Sequence, residues 1–152
     1  MRTNFTLKKL YVVVLLIGFT VSSVNAADIV SAQSGPWTSS GTWVGGVVPT
    51  KDDNVTIAVG HTVTYFVSGT TTIDLCKDLI VEGTLQASCS INQNFNTSVL
   101  GSIVCNGIIE FGQTAPATGM ILTLKSNTSS ITGSGSMHTR TINLNVNNTT
   151  CV

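Results

Sequence analysis

Short apolar runs separated by polar residues dominate the chain beyond residue 26. Over residues 54–59 and 61–67, apolar side chains alternate with threonine and asparagine. Alternation with a period of two is the pattern of a half-buried strand. Glycine, asparagine or serine interrupts the chain every few residues, and no stretch of ten or more shows the apolar period of a helix. The pattern predicts an all-β fold.

Four glycines recur at a nearly constant interval in this strand-rich region. Gly60, Gly83, Gly107 and Gly133 are 23, 24 and 26 residues apart, each in or beside an apolar stretch. A period of about 20–30 residues is typical of solenoids, in which each repeat is one coil stacked on the last. We predict a short parallel β-helix over residues 50–152. A β-sandwich, with strands every ~8–12 residues, remains the alternative.

The first 26 residues have the pattern of an export signal. Its positively charged start contains Arg2, Lys8 and Lys9. An apolar run over residues 10–21 and small residues ending at Ala26 follow, so we predict cleavage after Ala26. A membrane anchor is the alternative, but the run is about a dozen residues against the ~20 that cross a bilayer. We expect a secreted or cell-surface protein without a membrane span in its mature chain.

Charge is scarce beyond Ala26. Four basic residues stand against seven acidic ones, a net charge of −3, among many threonine, serine and asparagine residues. Because no basic patch is available to neutralise phosphates, nucleic acid is not an expected partner. The composition is typical of an exported β-protein.

Residues 27–49 form a lead-in and a loop rich in tryptophan, glycine and proline. Glycine and proline at this density exclude a helix and favour tight turns. Trp37 and Trp43 lie six positions apart in this loop. Two large indoles in a loop need apolar surface to cover, so we predict that they close the open N-terminal end of the β-helix core.

Residues 35–85 carry an ordered set of residues found in a known family. The set comprises Trp37, Trp43, Gly45, Gly46, Pro49, Asp52, Asp53, Val55, Ile57, Gly60, His61, Thr62 and Val63, and continues over residues 79–85. It resembles the start of G8-type domains and the N-terminal β-helical segment of large secreted surface proteins of Bacteroidetes-like bacteria. The resemblance implies a right-handed β-helix with a role in adhesion or carbohydrate contact. It also implies further domains in a longer parent protein, of which this chain would be a C-terminally truncated part.

Asp52 and Asp53 are the only adjacent carboxylates. They are candidates for a Ca²⁺ site, but such a site needs more oxygen ligands at alternate positions. Capping of a turn by acceptance of backbone N–H bonds is the favoured interpretation. His61, after a turn glycine, is interpreted as a structural residue that hydrogen-bonds a neighbouring loop. We expect no metal and no cofactor.

Export makes disulfides feasible among the four cysteines. These are Cys76, Cys89, Cys105 and Cys151. Cys89 with Cys105 is the candidate pairing, since adjacent coils could bring them close. The alternative, slightly favoured, is that Cys76 and Cys105 are small apolar fillers within strands.

The candidate acids do not form a catalytic pattern. Glu82 and Glu110 lie near repeat glycines at non-equivalent offsets, so they do not suggest an acid/base pair. We therefore expect no catalytic residue and predict a structural or adhesive module of an exported cell-surface protein, contacting an extracellular glycan or a surface protein. The alternatives are a carbohydrate-binding module that stacks Trp37 or Tyr65 on sugars, and a fragment of a polysaccharide-active β-helix enzyme.

Overall fold

The computed structural model describes residues 26–67, 73–89, 94–111, 119–139 and 141–144. Nearly all of it is β-structure, and parallel sheets form a β-solenoid of about 4 turns. All pairings between the named strands are parallel. The predicted parallel β-helix is thus confirmed, and the sandwich alternative, which requires antiparallel sheets, is excluded.

Three sheets run along the solenoid, and each full coil adds one strand to each sheet. The first sheet contains β1 (Asp28–Val30), β3 (Asn54–Ile57), β6 (Leu79–Val81), β9 (Ile103–Cys105) and β12 (Ile131–Thr132). The second contains β2 (Gly35–Pro36), β4 (Thr62–Val67), β7 (Thr84–Cys89), β10 (Ile108–Phe111) and β13 (Ser136–His138). The third contains β5 (Ile73–Cys76), β8 (Asn94–Val99), β11 (Gly119–Leu124) and β14 (Thr141–Leu144). Two 3-10 turns, Ser40–Thr42 and Val44–Gly46, lie between β2 and β3.

The solenoid begins earlier than the predicted boundary at residue 50. β1 pairs with β3 and β2 pairs with β4, so the lead-in supplies the first strand of two sheets. Between Trp37 and Asp53 the chain forms two 3-10 turns and one isolated bridge, and no named strand. The predicted lead-in and cap are therefore one partial coil, in which a loop replaces the strand of the third sheet.

The core consists of columns of apolar side chains in register. Val55, Leu79 and Ile103 are paired in successive strands of the first sheet and are at most 1% exposed. Val63, Leu85 and Ile109 form the equivalent column in the second sheet. Successive strands lie about 4.8 Å apart, so each side chain packs on the next. Burying each of these side chains stabilises the folded state by about 1.5–3 kcal/mol relative to leaving it exposed. Because a coil buries them only against its neighbours, the stack needs a coil on both sides.

The glycine period is real, but its structural register differs from the expected one. Turns lead from the first sheet to the second, and in them His61, Gly83, Gly107 and Gly135 occupy equivalent positions directly before paired residues. Their intervals are 22, 24 and 28 residues. Gly60 and Gly133 lie elsewhere in their turns, with φ of 80° and 118°. Two of the four predicted glycines share the column, and Gly135 was missed because turn lengths vary.

Close backbone approach explains the glycines of this column. A Cβ on Gly107 would overlap the carbonyl oxygen of Gly83, and one on Gly135 would overlap that of Gly107. The same carbonyl oxygens accept hydrogen bonds from the next coil, Ile108 N–H to Gly83 O at 2.8 Å and Ser136 N–H to Gly107 O at 2.9 Å. Gly107 and Gly135 are therefore needed because no side chain fits between these hydrogen-bonded turns, whereas the first position of the column is His61.

No helix in the described part of the chain is long and apolar enough to cross a membrane.

Candidate functional site

The two tryptophans form the centre of a cap over the first coil. Trp43 is 2% exposed and Trp37 4%, and both belong to the same buried cluster as the column residues. Their rings meet edge to face, with centroids 5.0 Å apart and planes at 74°. Trp43 Nε1–H donates to the Trp37 carbonyl oxygen at 2.8 Å, so the buried indole N–H has a partner. The position of the two indoles agrees with the predicted capping role.

Tyr65 extends this aromatic cluster from the second sheet. Its ring lies 6.2 Å from that of Trp37, at 84°, and its side chain is buried. Burial raises the pKa of the Tyr65 phenol. The expectation that Trp37 or Tyr65 stacks on a sugar is corrected here: neither offers an exposed ring face, because both are used to close the core.

Glycine and proline shape the backbone of the cap. Gly45 and Gly46 adopt φ of 78° and 70°, a left-handed conformation that favours glycine. The chain then reaches Pro49, which is buried, and Val48, which packs on the core. The loop thus turns on glycines in the left-handed region and returns to the core at its end.

His61 joins the lead-in to the first turn. Its Nδ1 lies 2.8 Å from Ser31 Oγ, and Ser31 Oγ accepts the Ala58 N–H at 2.9 Å. Since the hydroxyl oxygen already accepts, its proton is available to donate to Nδ1. Ser31 also forms an antiparallel bridge with Trp43, so this histidine contact supports the cap. The geometry agrees with the structural interpretation of His61.

The two adjacent carboxylates have different roles. Asp53 Oδ2 accepts the Thr50 N–H at 2.8 Å and the Thr50 hydroxyl at 2.7 Å, while Asp53 Oδ1 accepts the Ala27 N–H at 3.0 Å. Burial acts to raise the pKa of Asp53, but these hydrogen bonds outweigh it and hold the pKa below its usual value. Asp52 instead pairs with exposed Lys51 at 2.8 Å and raises its pKa. Asp53 is thus a turn cap, as the favoured interpretation stated.

A polar column that the sequence analysis missed runs beside the core of the first sheet. Its members are Asp28, Asn54, Asp78, Ser102 and Ser130. Asn54 Nδ2 donates to Asp28 Oδ1 at 2.8 Å, and Asp78 Oδ1 accepts the Ser102 N–H at 2.7 Å. Ser102 Oγ accepts the Ser130 N–H at 3.1 Å. Polar residues recur at this position at intervals of 24–28 residues. This recurrence is the sequence signal by which the polar column could have been predicted.

A shallow groove of about 790 Å³ follows the corner where turns lead from the third sheet into the first. Each coil contributes to its wall, and the polar lining includes Lys51, Asp52, Lys77, Asp78, Ser102 and Thr128. We call this surface the corner groove. It combines two ammonium groups, two carboxylates and several hydroxyls, so it suits a neutral, hydrogen-bonding ligand better than a strongly charged one.

The structure separates the candidate disulfide pair. Cys105, in the first sheet, is a free buried thiol whose Sγ lies 3.6 Å from the carbonyl oxygens of Gly107 and Ser136. Cys89 lies on a strand of the second sheet, opposite Val67. The Cys89–Cys105 bridge is therefore corrected to a free Cys105, in agreement with the filler alternative. Cys76 is also free and buried, and burial raises the pKa of both thiols. Cys151 lies outside the described residues.

The two candidate acids contact amides of neighbouring coils. Glu82 Oε1 accepts from Asn106 Nδ2 at 2.9 Å, at a turn after the first sheet. Glu110 Oε2 accepts from Gln86 Nε2 at 3.4 Å, on the second sheet. The two acids thus belong to different columns, and each hydrogen-bonds an amide one coil away.

Comparisons with known proteins add no assignment: no family model, no curated protein and no solved structure matches this chain.

Proposed function

We propose that this chain is a non-catalytic structural or adhesive module of an exported cell-surface protein. Three features support the proposal. Trp37, Trp43 and Tyr65 are buried at the first coil, the polar column carries hydrogen bonds between coils, and Glu82 and Glu110 contact neighbouring amides. These side chains have structural roles along a rod-like scaffold, as expected of a spacer or display module.

The unequal ends of the described solenoid carry this proposal. At the N-terminal end, Trp37 and Trp43 cover the core. In the last described coil, Ile131 and Ile142 are 36% and 41% exposed. Their column partners one coil earlier, Ile103 and Leu122, are 0% exposed.

An exposed apolar column end favours further stacking. Covering such side chains contributes free energy in proportion to the apolar area removed from water. A module with one closed and one open end is suited to begin a larger β-structure, and this supports the proposal that further domains of a surface protein follow it.

The G8-like motif supports the same proposal through its geometry. Trp37 and Trp43 pack on each other, His61 contacts Ser31, and Asp53 accepts the Ala27 N–H. These four residues of the motif therefore all make contacts within the first coil or between it and the next. We propose that the motif is a start signal for a secreted β-helix of the G8 type.

Export is the first test. The full chain, with a C-terminal epitope tag, is expressed in a Gram-negative host, and the tagged protein is recovered from cell-surface and medium fractions. We expect processed protein there, digestible by protease added to intact cells. Unprocessed protein confined to the cytoplasm would contradict the proposal.

Adhesion is tested separately, with beads coated with the processed chain and control beads coated with albumin. Binding of the protein-coated beads to epithelial or bacterial cells above the albumin control indicates an adhesive module. Equal binding of the two kinds of bead indicates a purely structural one.

The corner groove supports a second candidate function, binding of a neutral glycan. Coils spaced about 4.8 Å apart present lysine, aspartate and hydroxyl groups along it in sequence. Such groups can hydrogen-bond successive sugar units. The test is a glycan array probed with the processed chain, Lys77→Ala and, as a matched control on the second sheet, Thr64→Ala. Binding lost in K77A and kept in T64A is expected; absence of any binding would remove this candidate.

A further inference from the structure

The predicted cleavage point lies directly before a residue whose backbone is tied to the solenoid. Ala27 N–H donates to Asp53 Oδ1 at 3.0 Å, and the Ala27 carbonyl oxygen accepts the Asn54 N–H at 2.8 Å. β1 begins at the next residue, Asp28. The peptide bond between Ala26 and Ala27 therefore lies where the chain enters its first strand.

Cleavage of that bond changes the chemistry of the contact. A signal peptidase adds water across the Ala26–Ala27 amide, so Ala26 leaves with a carboxylate and Ala27 keeps the amine. An α-amino group has an ordinary pKa of about 7.7–8.0, so at neutral pH it takes up a proton. The neutral amide donor at Asp53 thus becomes an ammonium.

We propose that export processing creates an ion pair between the α-ammonium of mature Ala27 and the Asp53 carboxylate, which fastens the first coil. This inference rests on the proposed export of the chain. Asp53 is suited to the role because its other oxygen is fixed by the Thr50 N–H and hydroxyl, so Oδ1 is held toward Ala27. Charge-assisted hydrogen bonds are shorter and stronger than neutral ones.

Other charges near this site do not replace Asp53. Asp28 accepts from Asn54, Lys51 pairs with Asp52, and Asp78 accepts from Ser102. Lys77 lines the corner groove together with Ala26. Asp53 is the carboxylate in direct contact with the Ala27 nitrogen. The pair joins the first strand to the turn before β3, and its formation makes the mature chain differ from its precursor at the cap.

Titration of the mature N-terminus tests the pair. Chains that begin at Ala27 are prepared as wild type, Asp53→Asn and, as the matched control, Asp52→Asn, with folding verified by circular dichroism. We expect the pKa of the Ala27 amine in wild type to exceed that in D53N by about half a unit, an about threefold change in protonation. D52N should behave as wild type. Equal pKa values in wild type and D53N would overturn the inference.

Acetylation of the Ala27 amine tests the pair without altering Asp53. The pair raises the pKa of the amine in the folded state, so its stabilisation is present below about pH 8 and lost as the pH rises through the folded value. The urea midpoint of the acetylated chain should thus be lower at pH 6.5 and equal to that of the free chain at pH 10.5. An equal difference at both pH values would overturn the inference.

The N-terminus of the exported protein separates this inference from the proposed function. Mass spectrometry is expected to find Ala27 first. Processing at another bond would overturn the ion pair while leaving a secreted module intact. Retention of the chain inside the cell would contradict the proposed function itself.

Discussion

Lys125 and Asp74 form an ion pair at 2.6 Å although they are 51 positions apart in sequence. Asp74 lies in β5 and Lys125 directly follows β11, so the pair spans the intervening strand β8 on the third sheet. Ser98, which pairs with Asp74 in that strand, is fully buried. The lysine side chain thus links alternate coils, a contact made possible by the stacking of the sheet.

Breaking this link should weaken the stack modestly. The two side chains are 38% and 28% exposed, so solvent screens the pair. We expect Lys125→Met to lower the free energy of unfolding by about 0.5–1 kcal/mol, measured by urea denaturation. The loss should shrink in 1 M salt. Asp52→Asn, which breaks the more exposed Lys51 pair within one turn, is the matched control and should cause little change. An equal loss in both variants would contradict the role of the coil link.

Gly107→Ala should destabilise the solenoid strongly. The added Cβ would overlap the Gly83 carbonyl oxygen and the Glu82 backbone, which cannot move without breaking the turn. We expect a loss of about 2–4 kcal/mol in urea denaturation. Gly41→Ala is the matched control, because its nearest atoms are 3.7 Å away in exposed side chains. A small effect of G107A would show that this column does not need glycine.

Removal of the central cap residue should expose the core. Trp43→Ala leaves a cavity over the first coil, with an expected loss of about 3–5 kcal/mol. Trp43→Phe keeps most of the packing but leaves the Trp37 carbonyl oxygen unpaired, for a smaller loss of about 1–3 kcal/mol. The control is Phe66→Ala, since Phe66 is 61% exposed. In wild type, iodide should hardly quench the indole fluorescence; efficient quenching would contradict the buried cap.

Acid should loosen the cap through Asp53. The pKa of Asp53 is lowered in the folded protein, so its contribution to stability is present above the ordinary carboxyl pKa of about 3.9. That contribution is lost as the pH falls through the lower, folded value. We expect the thermal midpoint of wild type to fall more between pH 6 and pH 2.5 than that of Asp53→Asn. Parallel pH profiles would count against this assignment.

Cys105 should be a free thiol in the exported protein. Alkylation under denaturing, non-reducing conditions, followed by peptide mapping, is expected to find it modified. Native alkylation should be slow, because Cys105 is buried and burial raises its thiol pKa. A Cys89–Cys105 crosslinked peptide would contradict the structure.

Much of the fold could be predicted because its signals are local. Alternation over residues 54–67 indicates strands without knowledge of their partners. The capping roles of Trp37 and Asp53 could also be inferred, since indoles in a turn-rich loop need apolar surface and an aspartate at a turn accepts nearby N–H groups. The buried orientation of Tyr65 could not be inferred, because either face of a strand fits the same alternation.

The sequence by itself determined the all-β character, the stacked period and the closed N-terminal end. Only the tertiary structure decided that Gly135 rather than Gly133 joins the glycine column, that Cys105 stays unpaired and that Lys125 reaches Asp74. The reason is register: turns of different length separate equivalent residues by 22, 24 and 28 positions, so contacts between coils follow from strand pairing and not from equal spacing.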